Sequence, residues 1–100
     1  MQQKLKIYFI CGAGLGSSLA SQMVAEDVLA KLGMEEKLEH EAISSAPGLQ
    51  ADIIVSADNF KTQFEKFEMD PHTKFVFLHN IVDSNEIEEK LIPIIENFPS

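Results

Sequence analysis

The chain is 100 residues long, a length that suits one domain with one core and buries about 60 to 70% of the surface of the unfolded chain. Its 45% hydrophobic and 24% charged residues exclude a disordered or low-complexity protein. A formal net charge of -8, with lysine supplying all eight basic residues, lacks the clustered basic footprint that nucleic-acid binding needs.

A single cysteine makes no intramolecular disulfide, and the opening "MQQKLKIYFIC" has neither the long apolar core nor the small-residue cleavage site of a secretory signal. No apolar run reaches the length of a membrane span. These features lead to the expectation of a reduced, cytoplasmic protein without direct membrane insertion.

In chain order, residues 5–10, "LKIYFI", form a short apolar run stopped by glycine, a buried strand. A helix is expected from Ser17 or Ser18 to Leu32, with Ser21, Val24, Ala25, Val28 and Leu32 as its inner stripe and Gly33 as its stop. Residues 37–43, "KLEHEAI", read as a polar edge strand with Leu38, His40 and Ala42 on one face. "SSAPGLQ" is a loop or short helix. Residues 51–57, "ADIIVSA", form a third, strongly apolar strand, and Phe60, Phe64 and Phe67 follow at helical spacing as core residues. "DPH" at residues 70–72 is a turn, and residues 74–79, "KFVFLH", form a fourth strand. Asp83 and Glu86 have capping-box spacing before a last helix with the stripe Ile87, Leu91, Ile94, Ile95 and Phe98. Pro93 falls inside that stripe, so a kink or early break is expected there.

Strands alternating with helices predict an α/β fold: one three-layer domain over residues 1–100, with a four-stranded, mainly parallel sheet and helices on both faces. The expected strand order is 2-1-3-4, flavodoxin-like or Rossmann-like. Ligands of such sheets bind at the carboxyl ends of the strands, which gathers residues 11–18, 44–49, 57–59 and 79–83.

The stretch "CGAGLGSS", Cys11 to Ser18, stands at that end. A strand turning through glycines into a helix points several backbone N–H groups and the positive end of the helix dipole at one place, a cradle for an anion. Gly12, Gly14 and Gly16 permit positive φ and close approach, and Ser17 and Ser18 add hydroxyls. A dinucleotide fingerprint fails because its third glycine is Ser17, and a nucleotide P-loop fails because Ser17 replaces its lysine. Cys11 has two readings, a packed small hydrophobe at a strand end or a thiolate activated by the dipole and able to attack phosphorus. Its place immediately before the glycine turn favours the nucleophile. No metal-binding spacing occurs, and no cofactor is implied.

The same residues resemble the phosphocysteine loop C-G-x-G-x-G-S-S of the IIB subunits of the bacterial phosphoenolpyruvate:sugar phosphotransferase system, in particular the ascorbate-type branch of the ascorbate/galactitol group. "ADIIVSA" and "FLHNIVDSNEIEEKLIPIIENF" resemble that family's third strand and its last strand and helix. The resemblance implies a phosphoryl carrier with Cys11 as acceptor and donor. The phosphate would be held by Gly12, Ala13, Gly14, Leu15, Gly16, Ser17 and Ser18. It further implies two partners, a cytoplasmic IIA protein carrying phosphohistidine and a membrane IIC permease holding the sugar, ascorbate or a related polyol.

The layout is also similar to low-molecular-weight tyrosine phosphatases, C-x5-R-[ST], but Ser17 occupies the arginine position. A phosphatase needs that guanidinium and an acid for the leaving group, and the chain has no arginine. Asp70 in "DP" precedes the fourth strand and so falls at the opposite end of the sheet. A phosphatase-like hydrolase and a IIB-like regulatory module are the alternatives. His79 and Asn80 lie at the carboxyl end, where they read either as donors to a bound phosphoryl group or, with more weight, as solvated loop residues; His40 and His72 read as structural or exposed. Leu19 and Met23, four apart on the first helix and off its inner stripe, form either an apolar docking rim or a patch buried under a loop.

Overall fold

The computed structural model describes residues 4–12 and 17–98, with the side chain of Ser17 outside the description. Four strands, β1 (Lys6–Cys11), β2 (Lys37–Ala42), β3 (Ile53–Ala57) and β4 (Lys74–Leu78), form one sheet in the order β2-β1-β3-β4. Every pairing is parallel, so all four strands deliver their carboxyl ends to the same edge of the sheet.

The helices divide unequally between the faces. Helices α1 (Ser17–Lys31) and α3 (Ser84–Glu96) cover one face, where Ile7, Phe9, Ile53, Val55, Val76 and Leu78 meet Ala25, Val28, Leu29, Ile87 and Leu91. The other face carries Ile10 and Ile54 under a 3-10 segment (Ile43–Gly48), a 3-10 turn (Asp58–Phe60) and the short helix α2 (Lys61–Glu65). There Phe64 packs 5.3 Å from Phe75 and 5.9 Å from Phe77, ring centroid to centroid. Strand residues alternate between these clusters, as pleating requires. The α/β fold and the strand order expected from the sequence are both observed.

Helix α1 buries Ser18, Ser21, Ala25, Val28 and Leu29, and Val24 is half-buried. Leu32, expected in the stripe, is 43% exposed. The cause is the way the helix stops. Gly33 adopts φ +70°, its N–H bonds Ala30 O at 3.2 Å, and Met34 N–H bonds Leu29 O at 2.9 Å. This Schellman closure lifts Leu32 off the sheet, and Met34 packs against the core instead.

Pro93 does not end α3, which continues to Glu96. Pro93 is exposed, so the carbonyl of Glu89, deprived of its donor, belongs to an exposed residue that water can serve. Burial of Ile87, Leu91, Ile92 and Ile95 holds the helix across the defect. Ile92 replaces Ile94 in the buried set, with Ile94 only half-buried.

At the amino end of the sheet Asp52 organises the strand starts. Its carboxylate accepts Lys6 N–H at 2.9 Å and its own N–H bonds Lys6 O at 2.9 Å. Asp70 lies here, opposite Cys11, in the turn expected of it: its carboxylate accepts His72 N–H at 2.9 Å. The His72 ring bridges two acids, Nδ1 to Asp70 at 2.7 Å and Nε2 to Asp52 at 3.1 Å. Ionised carboxylates only accept, so the ring can donate to both acids at once only when it is protonated.

The bond to Asp70, then the bond to Asp52, raises the His72 pKa above its ordinary 6.5. A raised folded value stabilises fully below the unfolded value and is lost as pH rises through the folded one. His72→Asn should therefore cost more stability at about pH 5.5 than at about pH 8.5 in urea titrations. Equal costs at both pH values would refute the bridge.

Candidate functional site

Cys11 is the last residue of β1 and is 6% exposed. Ile7 and Phe9 belong to the core under α1 and α3, whereas Ile10 belongs to the opposite cluster; alternation therefore turns Cys11 towards the α1/α3 side. Its register partner on β2 is Ala42, and because Ile10 pairs with Ser56, the next level on β3 is Ala57. Alanines thus occupy the positions level with Cys11 on both neighbouring strands.

Helix α1 begins at Ser17, six residues after Cys11. A fifteen-residue helix carries about half a positive charge at its N-terminus. Ser18 is 1% exposed, and its hydroxyl has no hydrogen-bond partner among the described residues; the same holds for Ser21, one turn on. Buried hydroxyls without partners are costly and uncommon, and two of them line the inner side of the helix that starts beside the cysteine.

Ala13, Gly14, Leu15 and Gly16 lie outside the described residues, as does the Ser17 side chain. Gly12 is described and corrects one expectation: its φ is not positive, Gly33 being the only described glycine with that geometry. A Cβ added at Gly12 would stand 3.4 Å from the Phe60 ring, an ordinary van der Waals contact. At Gly12 the structure leaves room for a methyl group between the backbone and the Phe60 ring.

His79 and Asn80 are exposed at the same end of the sheet, two strands from β1, or about 10 Å at the usual strand spacing. His79 Nδ1 lies 3.3 Å from Asp58 Oδ2. The loop is set by Glu86, whose carboxylate accepts the N–H groups of His79 at 2.6 Å and Asn80 at 2.8 Å. Asp83 does cap α3, accepting from Asn85 and Glu86 N–H, but Glu86 turns to this loop instead of back to Asp83, so the capping box is only half formed. The bond from Lys90, ahead of the two backbone bonds, holds Glu86 at about 2.

Two residues near Cys11 escaped sequence reasoning. Ser56 Oγ donates to Ile10 O at 2.9 Å in the interior, and Phe60 lies over Gly12. A serine inside the apolar run "IIVSA" was the available signal, since a buried polar residue in a central strand requires a partner. His40, on the α1 side with Leu38 as expected, bonds Gln22 at 2.8 Å. Leu19 and Met23 are 41% and 56% exposed, which rules out burial under a loop. A groove of ≈ 410 Å³ between α2 and β4, lined by Phe64, Phe67, Met69, Phe75 and Phe77 among others, includes neither Cys11 nor Ser18.

Comparison with known proteins decides the family. Residues 6–92 match the family model described as PTS system, Lactose/Cellobiose specific IIB subunit. The chain belongs to this IIB family. A curated relative, the ascorbate-specific PTS system EIIB component of Mycoplasma pneumoniae, is 28% identical over 95 residues, covering 93% of this chain and 97% of its own length. The protein is thus a IIB component of a sugar phosphotransferase system and a phosphoryl carrier in the broad sense of that family. Among the described residues no helix is long and apolar enough to cross a membrane.

Because Gly12 has no positive φ and an added methyl meets only an ordinary contact, Gly12→Ala should fold with an unfolding free energy within about 1 kcal/mol of the wild type, as read by urea denaturation. A loss of several kcal/mol would show that the position needs glycine for conformational reasons.

Proposed function

We propose that this IIB component is one domain over residues 1–100 that works in the cytoplasm and carries the phosphoryl group on the sulfur of Cys11. It accepts the group from the phosphohistidine of a IIA protein and passes it to a sugar held by a membrane IIC permease. What carries the reading is Cys11 at the carboxyl end of a central strand, six residues before α1 starts, together with the buried Ser18 hydroxyl in the first turn of that helix, which has no partner among the described residues.

In the first step the N–P bond of the donor imidazole breaks as the S–P bond forms, and the thiol proton ends on the imidazole nitrogen. In the second the S–P bond breaks as an O–P bond forms at a sugar hydroxyl, whose proton returns to sulfur. The helix dipole favours the thiolate before attack and the phosphoryl oxygens after it. Backbone groups from Gly12 to Ser18, including Ala13, Gly14, Leu15 and Gly16, hold those oxygens together with the Ser17 and Ser18 hydroxyls.

The chemistry of transfer rather than hydrolysis is supported by the absence of arginine from the chain and by the position of Asp70 at the far end of the sheet. The exposed pair Leu19 and Met23, in the first two turns of α1, serves as the apolar rim on which IIA docks. The name of the Mycoplasma relative supports ascorbate or a related polyol as the sugar, bound by IIC and only indirectly seen by IIB.

Incubation with phosphoenolpyruvate, the two general phosphotransferase proteins and a phosphorylated cognate IIA should add one phosphoryl mass to the wild type and none to Cys11→Ala. An unmodified wild type beside a demonstrably phosphorylated IIA would sink the carrier reading, and release of phosphate from an aryl phosphate without any carrier would favour the hydrolase.

Leu19→Ser should slow acceptance from IIA by raising the apparent KM for IIA while leaving the fold intact. An unchanged KM would remove the rim from the docking surface.

A further inference from the structure

We infer that Ser56 is a positioning residue for Cys11, bracing from behind the peptide unit that precedes it. The inference rests on Cys11 being the phosphoryl acceptor.

Strand β3 is otherwise apolar, and Ser56 within it is 2% exposed. A hydroxyl there is unfavourable unless bonded, and this one gives its single proton to Ile10 O at 2.9 Å. Ile10 and Ser56 are also the last register pair between β1 and β3. The Ile10 carbonyl belongs to the peptide unit whose N–H is that of Cys11. Ser56 therefore grips the last peptide before the nucleophile at the rung where the ladder to β3 ends.

Ser56 belongs to the α2 side of the sheet, whereas alternation turns Cys11 to the α1/α3 side. The brace consequently fixes the backbone around the sulfur without standing in the path of the phosphoryl group. An in-line transfer is sensitive to such placement, since misplacing a reacting atom by about 1 Å costs about a hundredfold in rate.

The test compares Ser56→Val, which keeps the shape and loses the hydroxyl, with Ser56→Thr, which keeps it. With a phosphorylated IIA as donor, Ser56→Val should lower the maximal rate of phosphoryl acceptance by about tenfold at unchanged KM for IIA, and Ser56→Thr should restore it. Loss of the hydrogen bond to Ile10 O should also move the Cys11 amide nitrogen resonance in Ser56→Val and return it in Ser56→Thr, a readout that requires no partner.

A folded Ser56→Val with wild-type rate and an unmoved Cys11 resonance overturns the proposal. If the wild type takes no phosphoryl group, the carrier reading fails on its own. The Cys11 resonance then still decides the brace: moved in Ser56→Val and restored in Ser56→Thr supports it, unmoved overturns it.

Discussion

The register between β1 and β3 is the constraint on which the site depends. Side chains alternate along a strand, so a slip of one residue would turn Cys11 from the α1/α3 side to the opposite face. The seam is fixed at both ends by side chains as well as by its ladder. At the amino end the Asp52 carboxylate accepts Lys6 N–H; at the carboxyl end the Ser56 hydroxyl bonds Ile10 O. Between them lie four register pairs of buried or half-buried residues, whose mismatch would expose apolar surface. Placement of one sulfur is thereby tied to the packing of the whole sheet centre.

The two faces of the sheet contribute differently. Helices α1 and α3 supply the larger core, and α1 is also the helix that starts six residues after Cys11. The opposite face has a five-residue helix and two 3-10 segments, and aromatic residues compensate for that short cover: Phe64 contacts Phe67, Phe75 and Phe77. An inverted allocation on α1 is consistent with a helix that does two jobs. Serines 18 and 21 face inward while Leu19 and Met23 face outward, the reverse of what a purely structural helix would adopt.

Much of this was legible in the sequence because it rests on local pattern. Short apolar runs bounded by glycine, proline and polar residues gave the four strands, and the alternation of strands with helical stretches gave the parallel sheet and its order. Cys11 stood out in the sequence because glycines follow it at positions 12, 14 and 16. The features that escaped depend on partners distant in sequence. Nothing near Glu86 reveals that its carboxylate serves His79 and Asn80 rather than Asp83, since the capping-box spacing is satisfied either way. Leu32 fits the helical period, but the Schellman closure at Gly33 removes it from the helix. Pro93 reads as a breaker because propensity is local, whereas burial of Ile87, Leu91, Ile92 and Ile95 against the sheet is not. Ser56 acquires its role only when β3 is laid beside β1.

That last pairing also bears on how the molecule assembles. The bond from Ser56 to Ile10 joins residues 46 apart, and β1 lies at the sheet centre between β2 and β3. Such non-local parallel contacts form late, because a long loop must be closed before they return any energy. On a chain that grows from its amino terminus, Cys11 is made early and positioned late. Until β3 has joined the sheet, the peptide before the cysteine lacks its bond to Ser56, and that bond arrives together with the closing of the core.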